Sequence, residues 1–95
     1  MDLGLRDRRA LVLGASSGLG RASAAALVAE GARVAIASRS AERIATAGAA
    51  TGAQVAVAFD VDDLDGVPAF VGQVEEALGG PLDVLVTNTG GPPAG

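Results

Sequence analysis

The chain has no cysteine, no histidine, no tryptophan and no tyrosine. Without cysteine there is no disulfide framework and no thiol chemistry, and without histidine as well a transition-metal site is not expected. No apolar run approaches the roughly 18 consecutive residues of a membrane span. The opening residues, Met1-Asp2-Leu3-Gly4-Leu5-Arg6-Asp7-Arg8-Arg9, are charged, and no apolar stretch precedes a small-residue cleavage site, so a secretory signal is not expected. Basic residues are few, 7 against 11 acidic ones, for a net charge of −4. General nucleic-acid binding needs a basic face, which this balance argues against. The expectation is a soluble cytoplasmic protein with neither nucleic acid nor membrane as partner.

What is present is apolar and small. At 95 residues the chain allows one domain, residues 1–95, and 49% of it is apolar. That fraction is mostly Ala, Val and Leu, with two Phe. Small side chains suit thin, closely packed layers, such as helices lying directly on a sheet.

Apolar runs and helical stretches alternate along the chain. Arg9 to Gly14 is a short apolar run ending in glycine, as in a strand buried on both faces. Gly18 to Glu30 is rich in Ala and Leu, with Gly31 placed as a helix stop. Arg33 to Ser38 is the second run, followed by a helix over roughly Ala41 to Ala50 that Ser40 can cap. Gln54 to Asp60 is the third run. Asp62 or Asp63 can cap a third helix running towards Leu78, in which Val67, Phe70, Val71, Val74 and Leu78 share one face. Pro68 fits that helix only in its first turn. Leu82 to Thr87 is the fourth run, and Thr89 to Gly95 reads as an exit loop. Strands alternating with helices over short connections predict an α/β, doubly wound parallel sheet with right-handed crossovers.

The segment Gly14-Ala15-Ser16-Ser17-Gly18-Leu19-Gly20 joins the first strand to the first helix. With 14 glycines in the chain, a bare G-x-x-x-G-x-G spacing arises by chance about 0.3 times, so context must carry the reading. The context is a tight turn between strand and helix, where glycine permits close backbone approach and the helix N-terminus offers unpaired N–H groups to a pyrophosphate. The bland alternative is a turn that serves only packing. Ser16 and Ser17 can donate to phosphate or merely cap the helix.

This loop resembles the T-G-x-x-x-G-x-G signature of short-chain dehydrogenases/reductases, with Leu13 where threonine usually stands. Asp60-Val61 is similar to the family's Asp-hydrophobic pair after the third strand, which contacts adenine. Asn88-Thr89-Gly90 resembles its N-N-A-G element, with Thr87 and Thr89 as departures. The resemblance covers essentially the whole chain, and its general pattern is most similar to reductases of the 3-oxoacyl-carrier-protein type. It implies a Rossmann-type sheet of four strands in order 3-2-1-4 with three helices. It also implies hydride transfer between a nicotinamide cofactor and a small-molecule carbonyl or alcohol substrate. The residues marked for the cofactor, by this resemblance and by the end of the second strand considered next, are Gly14, Ser16, Ser17, Gly18, Leu19, Gly20, Ser38, Arg39, Asp60, Val61, Asn88 and Gly90, with no metal ligand among them.

The end of the second strand separates the two nicotinamide cofactors. An acidic residue there accepts from the free ribose 2′-hydroxyl of NAD, whereas the 2′-phosphate of NADP needs cations and donors. Here the sequence reads Ser38-Arg39-Ser40, and Arg39 can fork two N–H groups onto phosphate oxygens. NADP (as NADPH) is therefore expected over NAD, the alternative being an exposed loop arginine beside a helix cap. Asp60 has a competing role as a helix cap, and Asn88 can bridge neighbouring strands as well as border the cofactor.

In the family the proton chemistry rests on a Ser … Tyr-x-x-x-Lys constellation downstream of the N-N-A-G element. The chain has no tyrosine, so no catalytic residue is expected within it. It is read as the N-terminal fragment of a longer reductase, inactive alone, whose fourth strand would present a bare apolar edge. The rival readings are a non-catalytic dinucleotide sensor and an inactive remnant. Family members commonly form homo-oligomers through helices beyond this region.

Overall fold

The structure, a computed structural model, describes residues 6–15, 18–60 and 63–87. Two apolar runs are covered on both faces and become the central strands β1 (Arg9–Leu13) and β2 (Arg33–Ser38). The outer strands are β3 (Val55–Ala58) and β4 (Val84–Thr87), in which half-buried and exposed residues alternate. All pairings are parallel and the order is β3-β2-β1-β4. Three helices connect the strands: α1 (Gly18–Ala29), α2 (Ala41–Thr51) and α3 (Val67–Leu78). This is the doubly wound parallel α/β arrangement expected from the alternation of runs, in the Rossmann-type strand order that the resemblance implies.

The period-2 alternation of a strand sends neighbouring residues to opposite faces, and the core divides accordingly. Ala10, Val12, Val34 and Ile36 meet Ala24 of α1 and Ile44 and Ala47 of α2. On the other face Leu11, Ala35 and Ala37 meet Phe70, Val74 and Leu78 of α3. The third helix lies over β1, β2 and β3 and does not reach β4. Leu85, on that uncovered face, is consequently 58% exposed. Among the described residues β4 pairs only with β1, as the reading of an apolar edge anticipated.

The helix ends follow local chemistry. Past α1, Gly31 (φ +88°) donates to the Val28 carbonyl and Ala32 to the Leu27 carbonyl, the paired bonds of a Schellman stop. The Ser40 hydroxyl oxygen accepts from the Arg43 N–H at 3.2 Å and caps α2 as expected. The third helix departs from expectation: it starts later than expected, and Asp63 does not cap it. Asp63 instead donates its N–H to the Asp60 carbonyl and leads into a 3-10 turn (Leu64–Gly66), with Gly66 at the N-cap and no side-chain bond. Asp62 lies outside the described residues. Pro68 supplies the reason. A helix begun at Leu64 would need the N–H that Pro68 lacks and would clash with its ring, whereas a start at Val67 puts Pro68 in the first turn, where no such bond is made. The outer strands are also shorter than the apolar runs suggest, because only a stretch facing a neighbour's ladder counts as strand.

At the amino ends of the strands sits a network of arginines. Arg9 donates through Nε to the Leu78 carbonyl at 3.2 Å and through a terminal nitrogen to the Gly79 carbonyl at 3.1 Å. Arg33 reaches the same Leu78 carbonyl at 3.4 Å. Two cations thus meet the negative end of the α3 dipole, where they are favourable. Asp83 accepts from the Arg9 N–H at 3.0 Å and pairs with Arg8 at 3.5 Å. Its carboxyl is held below the usual range, chiefly by that backbone N–H and further by the Arg8 and Arg9 charges, against a smaller opposing effect of burial.

Candidate functional site

The register brings the four carboxyl ends level: Leu13 stands beside Ala37 and Thr87, and Ser38 beside Ala58. The chain turns back at β1, with β2 on one side and β4 on the other. Ligands of open α/β sheets bind in the crevice at such a switch point. The glycine loop leaves from the end of β1, the Ser38-Arg39-Ser40 turn from the end of β2, and Asp60 lies two residues past β3.

Gly14 takes φ +69°, and its N–H and that of Ala15 both donate to the Ala37 carbonyl, at 2.9 and 3.2 Å. These bonds fold the chain off β1 onto the end of β2, and a side chain at Gly14 would oppose the left-handed turn. Gly18 opens α1 at φ +62°, and a Cβ built on it meets nothing within 4 Å. It therefore borders open space at the helix N-terminus, where backbone N–H groups are open to an anion. The first turn of α1 carries no acidic residue to compete with an anion. Leu19 is 78% exposed, whereas Gly20 is buried, as is Ala24. Gly20 thus lies one helical turn from Ala24, on the face of α1 that meets the sheet, while Gly14 makes the turn and Gly18 borders open space.

At the end of β2, Ser38 is half-buried and its hydroxyl donates to the Ser40 carbonyl at 3.4 Å, while Arg39 is exposed. Ser38 thereby closes the turn that presents Arg39. Of the residues marked from sequence, Gly14, Gly18, Leu19, Ser38, Arg39 and Asp60 gather at this end of the sheet, and Gly20 packs beneath them. Ser16, Ser17, Val61, Asn88 and Gly90 lie outside the described residues.

A second concavity was not anticipated. An open groove of about 570 Å³ runs between β3 and α3, lined by Val55, Val57, Phe59, Ala69, Phe70 and Gln73 among others. Phe59 and Phe70 stack in it with ring centroids 4.0 Å apart. No sequence motif marks such a groove, because it arises from small residues on one helix beside an outer strand. Its lining is almost wholly apolar and offers no group for acid, base or phosphate chemistry.

Comparison with known proteins bears on the glycine-loop end. The family model described as short chain dehydrogenase matches residues 8–95. Galactitol 2-dehydrogenase of Agrobacterium fabrum is 45% identical over 85 residues, covering 88% of this chain and 33% of that protein. D-erythrulose reductase of Gallus gallus is 40% identical over 87 residues, covering 92% of this chain and 33% of that one. Among solved structures, L-sorbose reductase from Gluconobacter frateurii, complexed with NADPH and L-sorbose, superposes with a TM-score of 0.81 at 35% identity, over 96% of this chain and 36% of that one. The chain spans about a third of the length of the curated relatives it matches.

Proposed function

The chain belongs to the short-chain dehydrogenase family, and on that premise we propose that it is the dinucleotide-holding part of an NADP-dependent oxidoreductase acting on a carbonyl or alcohol substrate. The observation that carries the cofactor choice is the end of β2, where an exposed Arg39 stands in the place at which an NAD binder would carry a carboxylate. The open cradle at Gly18 and the carboxylate-free first turn of α1 fit the pyrophosphate. Leu19, exposed beside that cradle, offers an apolar surface to the rest of the cofactor.

When bound, the nicotinamide supplies or accepts the hydride exchanged with the substrate carbon. The roles left to this chain are binding and orientation. The first turn of α1 would hold the pyrophosphate through backbone N–H groups, the fork of Arg39 would hold the 2′-phosphate, and Asp60 with Val61 would contact the adenine. With neither tyrosine nor lysine in its 95 residues, the chain carries no candidate for the family's Tyr-x-x-x-Lys proton transfer, and we propose that it turns over no substrate by itself. The relatives are named for different substrates, so the proposal commits to cofactor and reaction class.

The test is the affinity of the protein for NADPH and for NADH, each by calorimetry, before and after Arg39→Ala. Tighter binding of NADPH, with the preference cut by about tenfold or more in the variant, is expected for a lost charge-assisted fork. Equal affinity for the two cofactors, or an unchanged preference in Arg39→Ala, would overturn the reading.

A further inference from the structure

Charge is segregated along this chain. All 7 basic residues precede Ile44, and every charged residue after it is acidic. The groove between β3 and α3 belongs wholly to that second stretch. At the groove's Gly66 end, Asp63 sets a carboxylate oxygen 2.6 Å from where a Cβ on Gly66 would stand. Asp60 and Asp65, both exposed, adjoin the lining residues Phe59 and Gly66 at the same end. Arg39, one residue past the Ser38–Ala58 pair in the register, is the cation that β2 brings there, against those three carboxylates. At the far end, exposed Glu76 adjoins Ala77.

The groove also has a backbone side. β3 ends the sheet, and among the described residues its outer edge pairs with no strand. The Gln54 N–H donates to the Val34 carbonyl of β2. Successive residues of a parallel strand turn their polar groups to opposite sides, so Val55 and Val57 aim theirs at the open edge. The side chains of the same two residues line the groove. Opposite them, Ala69, Gln73 and Ala77 stand at four-residue steps on α3, all exposed. Exposed sheet edges are commonly guarded by a charge or a proline, and the Val-Ala-Val-Ala of β3 has neither.

An open edge strand, with an apolar groove between it and a helix, is an arrangement in which an extended peptide adds to a sheet. We propose that this groove docks an extended cationic segment of a partner protein. The segment pairs with the β3 edge and places alternate apolar side chains between β3 and α3. The 4 residues of β3 span about 13 Å, so about four residues of the segment lie in the groove. Lysine or arginine at its two ends then meets Asp63 and Asp65 on one side and Glu76 on the other. A second copy is a poorer occupant, because β3 paired with β3 would set carboxylates against carboxylates.

The experiment measures, by fluorescence anisotropy, binding of the protein to a fluorescein-labelled peptide Lys-Val-Thr-Val-Thr-Lys. Three further peptides are compared: one with glutamate for both lysines, one N-methylated at both valines and one N-methylated at both threonines. The lysine peptide is expected to bind about tenfold more tightly than the glutamate peptide, and less tightly as salt is raised. Alternate amides of a strand face one edge, so one N-methylated peptide should lose about tenfold or more and the other should bind like the parent. Gln73→Arg, at an exposed position of the lining, should weaken the lysine peptide about tenfold while unfolding at the wild-type temperature by circular dichroism. No binding of the lysine peptide, or equal binding of the lysine and glutamate peptides, overturns the proposal. Equal affinities for the two N-methylated peptides, kept or lost, overturn pairing with the β3 edge. An unchanged affinity in Gln73→Arg puts the peptide elsewhere and overturns the groove as its site. A wild type that sediments as a dimer, with Gln73→Arg monomeric, gives the groove to a second copy and overturns the proposal as well.

Discussion

Two glycine-to-alanine substitutions, both in helix interiors, should move stability in opposite directions. Gly48 sits in α2 where the helix crosses β3, and a Cβ built there falls 2.8 Å from the Ala56 Cβ. Carbon atoms at rest lie about 3.5–4.0 Å apart, so Gly48→Ala forces helix and strand apart by roughly 0.7–1.2 Å. The Ala56 methyl is fixed to its backbone and cannot swing away. The same displacement loosens Ile44 and Ala47, both buried in the core. Overpacking of this kind costs about 1–3 kcal/mol, and the better helix propensity of alanine returns about 1 kcal/mol. The net expectation is destabilisation by about 1 kcal/mol. Gly72, in α3, meets nothing within 4 Å of its built Cβ. Gly72→Ala therefore keeps the propensity gain and should stabilise by about 0.5–1 kcal/mol. For a domain of this size the two variants should melt on the order of 10 °C apart. With no tryptophan or tyrosine to report, far-ultraviolet circular dichroism during urea and thermal unfolding is the assay. Ala56→Gly in the Gly48→Ala background should relieve the clash, with a coupling energy of about 0.5–3 kcal/mol. If Gly48→Ala stabilises as much as Gly72→Ala, the close approach of α2 to β3 is wrong.

Further expectations follow from the core and from the amino-end network. Phe70→Ala removes the largest side chain of the α3 face together with its stack on Phe59. It should cost about 3–5 kcal/mol, and a loss below about 1 kcal/mol in urea unfolding would mean that α3 is not seated as described. Asp83 has a folded pKa below its ordinary 3.8, so its contribution is complete above the unfolded value and is lost as pH falls through the folded one. The stability gap between the wild type and Asp83→Asn should accordingly be steady near neutral pH and close below about pH 4. A gap that persists undiminished to about pH 2 would refute the contribution of its charge.

The parts of this fold that were legible in the sequence are those set by local pattern. Arg9 to Leu13 and Arg33 to Ser38 read as buried strands because both of their faces are covered, which leaves an uninterrupted apolar run. Ser40 and Gly31 read as a cap and a stop because each acts on its own helix end. The start of α3 was misplaced because the carboxylates of Asp62 and Asp63 suggested a cap, while the rule that decided the matter was the missing N–H of Pro68. The bonds from Arg9 to Leu78 and Gly79 were not legible at all, since they join residues about seventy positions apart. The candidate site was legible as a spacing of glycines in a tight strand-to-helix turn, but the separate part each glycine plays was not. Only the structure separates Gly14, which makes the turn, and Gly18, which borders open space, from Gly20, which is buried.

The claim that the dinucleotide lies across the carboxyl ends of the strands is tested most directly by titrating isotopically labelled protein with NADPH and following its backbone amide resonances. Perturbations should cluster at Gly14, Gly18, Leu19, Ser38, Arg39 and Asp60, leaving Arg9, Arg33 and Gly79 at the opposite end unmoved. Perturbations centred on Phe70 and Gln73 in the apolar groove, or on the arginines at the amino ends, would contradict it.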